Sequence, residues 1–197
     1  MRGVAGMDSK PEARAKARAV RRAAPRPDPA GLAAHAIAFL SALDGPLRTT
    51  SYVSYGIEPD TGVLNAELEA AGYTVLLPRV CASGPVDLEW LDSRGPREVS
   101  AMGIAEPVGP SLDLLPVRAM LIPALAVTVQ GDRLGKGGGY YDRVLARLPD
   151  SVPVAAIVGD DDVIEELPTE AHDRPVDALI TPTRVMWTDR VAPPSAQ

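Results

Sequence analysis

Two kinds of apolar run alternate along this chain of 197 residues. One kind is short and nearly unbroken. Residues 117–122 and 152–158 are mostly apolar, and runs of that length read as strands buried on both faces. The other kind is spaced for helices. Residues 9–24 are rich in Ala, Arg and Lys, which favour helix, and Pro11 sits where a first turn tolerates proline. Pro25, Pro27 and Pro29 then break the chain. Asp28 is placed to cap a helix running from Pro29 to about Leu43, with Leu32, Ile37, Leu40 and Leu43 among its apolar positions. Gly45-Pro46 stops it. Asp60 or Thr61 caps a further helix that ends at Ala71, before Gly72. Residues 139–148 read as the last helix.

Shorter strands are expected at residues 49–55, 73–77, 88–91, 178–181 and 185–187, where β-branched and aromatic residues cluster. Residues 94–116 are rich in Gly and Pro and read mostly as loop. Helices that alternate with buried strands imply an α/β fold: a mainly parallel open sheet with helices on both faces, in three layers. One domain is expected over residues 9–188, with a disordered lead-in at 1–8 and a disordered tail at 189–197.

Composition changes this picture little. Hydrophobic residues make up 46% and charged residues 23%, ordinary for a globular chain. No apolar run approaches the ~20 residues of a membrane span, so a cytoplasmic protein with no membrane partner is expected. The single cysteine, Cys81, rules out an intrachain disulfide and fits a reducing compartment. Neither His35 nor His172 has a second histidine at ligand spacing, so zinc is not expected.

Charge is uneven. Residues 10–26 carry seven basic side chains against Glu12, a net +6, so the rest of the chain holds −12 to give the overall −6. Such a stretch suits a solvated helix face, a nucleic acid or other anionic surface, or a few residues reaching a phosphate. It lacks the apolar core of an export signal and the serines of a transit peptide.

The most informative segment is Gly131-Asp132-Arg133-Leu134-Gly135-Lys136-Gly137-Gly138-Gly139-Tyr140-Tyr141-Asp142-Arg143. It follows a buried strand and opens a helix. Its glycines permit positive φ and close backbone approach to a ligand. Free amides at a helix start, with Arg133 and Lys136 beside them, make a cradle for phosphate. No Gly-Lys-Ser/Thr is present, so it is not the common P-loop. It also lacks the acidic strand end of a dinucleotide site.

This segment resembles the signature of the 5-formyltetrahydrofolate cyclo-ligases (methenyltetrahydrofolate synthetases), approximately Arg-Leu-Gly-x-Gly-x-Gly-Tyr-Tyr-Asp-Arg. Residues 133–143 match it at every fixed position. Lys10 and Arg14 fit the family's Lys-x-x-x-Arg, and residues 52–61 its Tyr-…-Glu-…-Thr segment, with Glu58 as the acid. Residues 75–79 resemble its strand ending in Pro-Arg, residues 103–107 its Gly-Ile-x-Glu-Pro, and residues 170–177 its late His-Asp and Val-Asp. The resemblance runs from about residue 9 to 188. One departure is Val127-Thr128, where the family usually has Phe-Asp.

The resemblance implies an enzyme that uses ATP and Mg²⁺ to close 5-formyltetrahydrofolate into 5,10-methenyltetrahydrofolate, releasing ADP and phosphate. It implies that Lys10, Arg14, Arg133, Leu134, Gly135, Lys136, Gly137, Gly138, Gly139, Tyr140 and Tyr141 hold ATP. Arg133 and Lys136 would neutralise charge in catalysis. Glu58 and Tyr140 would contact the folate, and Asp142 and Asp173 the magnesium. The partners expected are small molecules, ATP and a reduced folate, with no nucleic acid and a monomeric chain. From another class, a nucleotide- or RNA-binding protein that kept the fold and lost catalysis would account for the basic segment and for Val127-Thr128. A sugar-phosphate isomerase or acyl transferase on a similar sheet is a third reading.

Overall fold

The apolar runs form strands because alternate side chains can be buried on opposite faces of one sheet. A computed structural model describes residues 9–81, 87–100, 103–170 and 173–189. In chain order the elements are α1 (Lys10–Ala23), α2 (Pro29–Ser41), β1 (Arg48–Thr50), α3 (Gly62–Ala70), β2 (Thr74–Val80), β3 (Leu88–Asp92), β4 (Arg97–Val99) and β5 (Ala105–Pro107). Then come β6 (Met120–Pro123), β7 (Ala126–Thr128), β8 (Arg133–Leu134), α4 (Tyr140–Leu145), β9 (Val154–Ile157), a 3-10 turn (Asp160–Asp162), β10 (Val163–Ile164), β11 (Ala178–Ile180) and β12 (Val185–Trp187).

The main sheet has the order β12-β11-β9-β6-β1-β2-β3. Its inner ladders, from β11 to β2, are parallel. Its two edge strands, β12 and β3, run antiparallel. Along β6, Leu121 joins a core shared with α2 and α3, while Met120 and Ile122 join a second core with α4. Along β9, Ala155 and Ile157 face the first core, and Val154 and Ala156 the second. Helices therefore cover both faces, as expected from the sequence. α1 packs elsewhere: Ala13 is buried with Ala126 and Leu134 against the small β10-β7-β8 sheet.

Several boundaries differ from expectation, each for a local reason. β1 stops at Thr50 instead of reaching residue 55. The Tyr52 carbonyl is taken instead by the Thr61 hydroxyl at 2.6 Å and Asn65 Nδ2 at 3.1 Å. Thr61 sits at the N-cap of α3 but makes no side-chain cap bond there. β2 runs on through Pro78 to Val80. The β1 ladder has ended by then, and only β3 pairs with it there, so a missing N–H costs little. Residues 94–116 contain the β4–β5 hairpin as well as loop. α4 is only six residues long, so the glycine segment opens a short helix with a correspondingly weak dipole. The lead-in at 1–8, His172 and the tail beyond Asp189 lie outside the described residues.

Candidate active site

The chain leaves β1 toward β2 through α3 on one face, and leaves β6 toward β9 through α4 on the other. β1 and β6 are neighbours, so the direction of winding reverses between them. In open α/β sheets the crevice past the carboxyl ends of such strands is the usual ligand site. Here Tyr52, Val53, Tyr55 and Glu58 come after β1, and Pro123 and Ala124 come at the end of β6. All of them line a single cleft with the glycine segment.

Every residue expected to touch ATP, folate or metal lines that same cleft: Lys10, Arg14, Glu58, Arg133 through Asp142, and Asp173. The sequence alone had spread them over some 160 positions. The charges meet in pairs. Lys136 Nζ lies 2.7 Å from Glu58 Oε1 and 4.0 Å from the centre of the Tyr55 ring. Lys10 Nζ lies 2.7 Å from Asp173 Oδ2 and 3.0 Å from Glu170 Oε2. Arg133 pairs with Asp142. Each of these three cations thus holds one of the carboxylates expected to face folate or metal.

Burial sets the electrostatics. Glu58 is 7% exposed, and its second oxygen accepts from the Tyr55 amide at 2.8 Å. Burial lowers the Lys10 pKa, but the carboxylates of Asp173 and Glu170 more than offset it and leave it raised. Burial, reinforced by the Glu58 charge, raises both the Tyr52 and Tyr141 phenols, so each keeps its proton.

The glycine loop takes its shape from positive φ at Gly137 and Gly139, 104° and 67°, which side chains disfavour. A Cβ on Gly138 would fall 2.7 Å from the Tyr140 ring, so that ring can lie against the loop only above a glycine. The Tyr140 ring also carries the Arg143 guanidinium at 5.2 Å.

The basic N-terminal segment has a structural use that its composition did not reveal. Arg14 Nε donates to the Gly135 carbonyl at 3.1 Å and Arg18 Nη2 to that of Lys136 at 3.2 Å. Arg21 Nη2 donates to the carbonyls of Ala124 and Leu125 at 2.8 and 3.0 Å. Arg26 Nη2 donates to Gly56 at 2.9 Å. These arginines tie down the three loops that wall the cleft. Arg21 also forms a two-pronged pair with Asp162, at 3.0 and 2.6 Å. Arg18, Arg21, Arg26, Asp162 and Tyr52 were absent from the expected site, and nothing in the spacing of the arginines distinguishes a carbonyl clamp from a solvated face.

Metal-binding capacity is limited. Among the described residues no group of three or more His, Cys, Asp or Glu is placed to hold an ion. Asp142 and Asp173 nevertheless line the cleft together. That pattern suits Mg²⁺, which takes one or two carboxylates and completes its shell from phosphate and water.

Comparison with known proteins points one way. Residues 7–182 match the model of the 5-formyltetrahydrofolate cyclo-ligase family. The chain is 39% identical to a 5-formyltetrahydrofolate cyclo-ligase of Mycolicibacterium smegmatis over 74% of this chain and 79% of the relative. It is 33% identical to one from Escherichia coli over 68% and 77%. A solved 5,10-methenyltetrahydrofolate synthetase of Aquifex aeolicus superposes with a TM-score of 0.72 at 29% identity, covering 95% of this chain and 96% of that one.

Proposed function

The chain belongs to the 5-formyltetrahydrofolate cyclo-ligase family, and on that premise we propose that it closes 5-formyltetrahydrofolate into 5,10-methenyltetrahydrofolate at the expense of ATP, releasing ADP and phosphate. The observation that carries this reading is the gathering of Lys10, Arg14, Arg133, Lys136, Glu58, Asp142 and Asp173 around one cleft at the reversal of the sheet. Two small molecules are the partners, and the reading carries a monomeric, cytoplasmic enzyme.

The reaction needs no protein nucleophile. The formyl oxygen attacks the γ-phosphorus, forming an O–P bond while the bond from that phosphorus to the β,γ-bridging oxygen breaks and ADP leaves. N10 then attacks the formyl carbon, loses its proton, and phosphate departs with the former formyl oxygen. What the chain supplies is position and charge. Lys10, Arg14, Arg133 and Lys136, with the amides between Leu134 and Tyr141, orient the triphosphate. Lys136 and Arg133 offset charge on the transferring group. Glu58 accepts N–H donors from the pterin edge, and Tyr140 packs beside the folate. Magnesium, held by Asp142 and Asp173 together with the phosphates, supplies further charge neutralisation when bound.

Binding both substrates requires the paired charges to exchange partners. Lys136 turns from Glu58 to phosphate as Glu58 turns to the pterin. The basic stretch that suits a nucleic-acid reading spends Arg18, Arg21 and Arg26 on the chain's own carbonyls, which favours the enzyme. The direct test is to incubate the pure protein with 5-formyltetrahydrofolate, ATP and Mg²⁺ and follow the methenyl chromophore in the near ultraviolet. No absorbance gain above a protein-free control overturns the reading.

Two variants probe the roles separately. Glu58→Gln should weaken 5-formyltetrahydrofolate binding roughly 10-fold or more, at about 1.4 kcal/mol per factor of ten. ATP affinity without folate should hold or improve, because Lys136 loses a competing carboxylate. Calorimetric titration of both ligands checks this; equal losses would indicate a folding defect. Asp142→Asn should lower kcat and raise the magnesium needed for half-maximal rate, since asparagine lacks the charge that holds a hard cation. A magnesium titration unchanged from the parent would leave Asp142 only as the partner of Arg133.

A further inference from the structure

At the end of β1 the cleft contains polar groups that the fold itself leaves unpaired. Tyr52 is 3% exposed, and among the described residues its phenol oxygen has no hydrogen-bond partner; the Tyr141 phenol and Arg133 Nε are likewise buried and without a partner among them. All three residues line the cleft. Buried polar groups in folded proteins are nearly always paired. A phenylalanine at position 52 would fill the same space without the cost of drying a hydroxyl.

Nothing in the packing calls for that hydroxyl. The ring belongs to the core shared with α2 and α3. The Tyr52 carbonyl is already held by Thr61 and Asn65, so the residue is fixed without its phenol. Arg133 is committed to Asp142, and its charge bears on Tyr141. The Glu58 charge bears on Tyr52 and Tyr141 alike. Tyr52 and Glu58 both follow β1 and both line the cleft, and besides Glu58 the charges of Arg21 and Asp162 also bear on this phenol. The phenol is kept neutral there by burial and by the Glu58 carboxylate, so it retains a proton to donate.

We propose that the Tyr52 hydroxyl is a substrate contact, donating a hydrogen bond to the ring carbonyl of the folate's pyrimidinone while Glu58 accepts from the neighbouring N–H groups. This rests on the proposed function and assigns a further residue to it. The chemistry is complementary. An aminopyrimidinone edge presents an exocyclic amino group and a ring N–H, both donors, followed by a carbonyl that only accepts. A carboxylate can serve the donors but not the carbonyl. The carbonyl needs a donor beside the carboxylate, and Tyr52 provides an unspent one.

The experiment uses the isosteric variant Tyr52→Phe in the full chain and three readouts. Affinity for 5-formyltetrahydrofolate should fall about 10-fold. Affinity for ATP without folate should stay within about twofold, and the Tm of the ligand-free protein should be equal or higher, since an unpaired buried hydroxyl has been removed. Unchanged folate affinity overturns the proposal. So does a lowered Tm with losses for both ligands, which would make the hydroxyl structural. The unaltered chain is titrated in parallel. If it fails to bind the folate, the proposed function falls; if it binds and the variant binds equally well, only the role of Tyr52 falls.

Discussion

Replacing Asp162 with alanine should destabilise the protein by about 3–5 kcal/mol, the usual cost of removing one partner from a buried ion pair. For a chain of this size that corresponds to a fall in Tm of roughly 6–20 °C. Arg21 and Asp162 are 7% and 5% exposed, so the guanidinium left behind could not reach water without moving α1. Asp162 also accepts from the Gly159 amide at 2.7 Å, and that donor would be orphaned too. Burial pushes the Asp162 carboxyl up by more than Arg21 and the Gly159 amide pull it down. The pair is thus a poor stabiliser in itself, yet costly to break. Exchanging both members, Arg21→Met with Asp162→Leu, should recover much of the loss. It should not recover all of it, because the Ala124 and Leu125 carbonyls would still lack their donor. Chemical denaturation of the single and double variants decides the matter. A single variant within about 1 kcal/mol of the parent would show that α1 is not anchored at this point.

Lys136→Ala should reduce kcat/KM for ATP by roughly 10- to 150-fold, which is the loss of about 1.5–3 kcal/mol from a charge-assisted contact to phosphate. The folate should suffer less. Lys136 lies between two assignments: its amine sits 2.7 Å from Glu58, while its loop is the one proposed to hold phosphate. A double-mutant cycle with Glu58→Gln separates them. The two residues touch, so their effects should be coupled by about 0.5–3 kcal/mol in the free protein. That coupling should shrink once ATP is bound, because the amine has then left the carboxylate. Unchanged KM and kcat for ATP in the alanine variant would end the cradle reading of this loop.

Much of this architecture was legible from residue order alone. The runs at 117–122 and 152–158 became β6 and β9, the fourth and third strands of the main sheet, because unbroken apolar residues can be hidden only between two helix layers. The first of these ladders begins late, at Met120, after Arg118, whose guanidinium reaches the Tyr73 hydroxyl and the Gly45 carbonyl at the sheet's end. The β4–β5 hairpin leaves no hydrophobic pattern in the sequence because β4 is exposed throughout. The end of β1 depends on Thr61 and Asn65 reaching back to Tyr52, a contact that local propensity does not encode.

At the site, the sequence named the charged residues but not their pairing. Lys136 and Glu58 are far apart along the chain, and only the meeting of the β1 and β6 loops brings them together. The role of Arg18, Arg21 and Arg26 was hidden for a related reason. Their targets are backbone carbonyls, which carry no signature in a sequence.

The clamp made by α1 also bears on how the protein is made. Lys10 meets Asp173 across 163 positions and Arg21 meets Asp162 across 141, so α1 leaves the ribosome long before the residues it docks on. At the usual pace of synthesis, about 5–20 residues per second, it waits roughly 7–30 seconds for Asp162 alone. During that interval Ala13 and Ala17 have nothing to cover them, and β11 and β12 of the main sheet are themselves still unmade. Contacts of such long range close slowly. In a chain whose sheet closes before α1 docks, the cleft lacks Lys10 and Arg14 and its loops are untied. In such a chain activity should wait until α1 has docked.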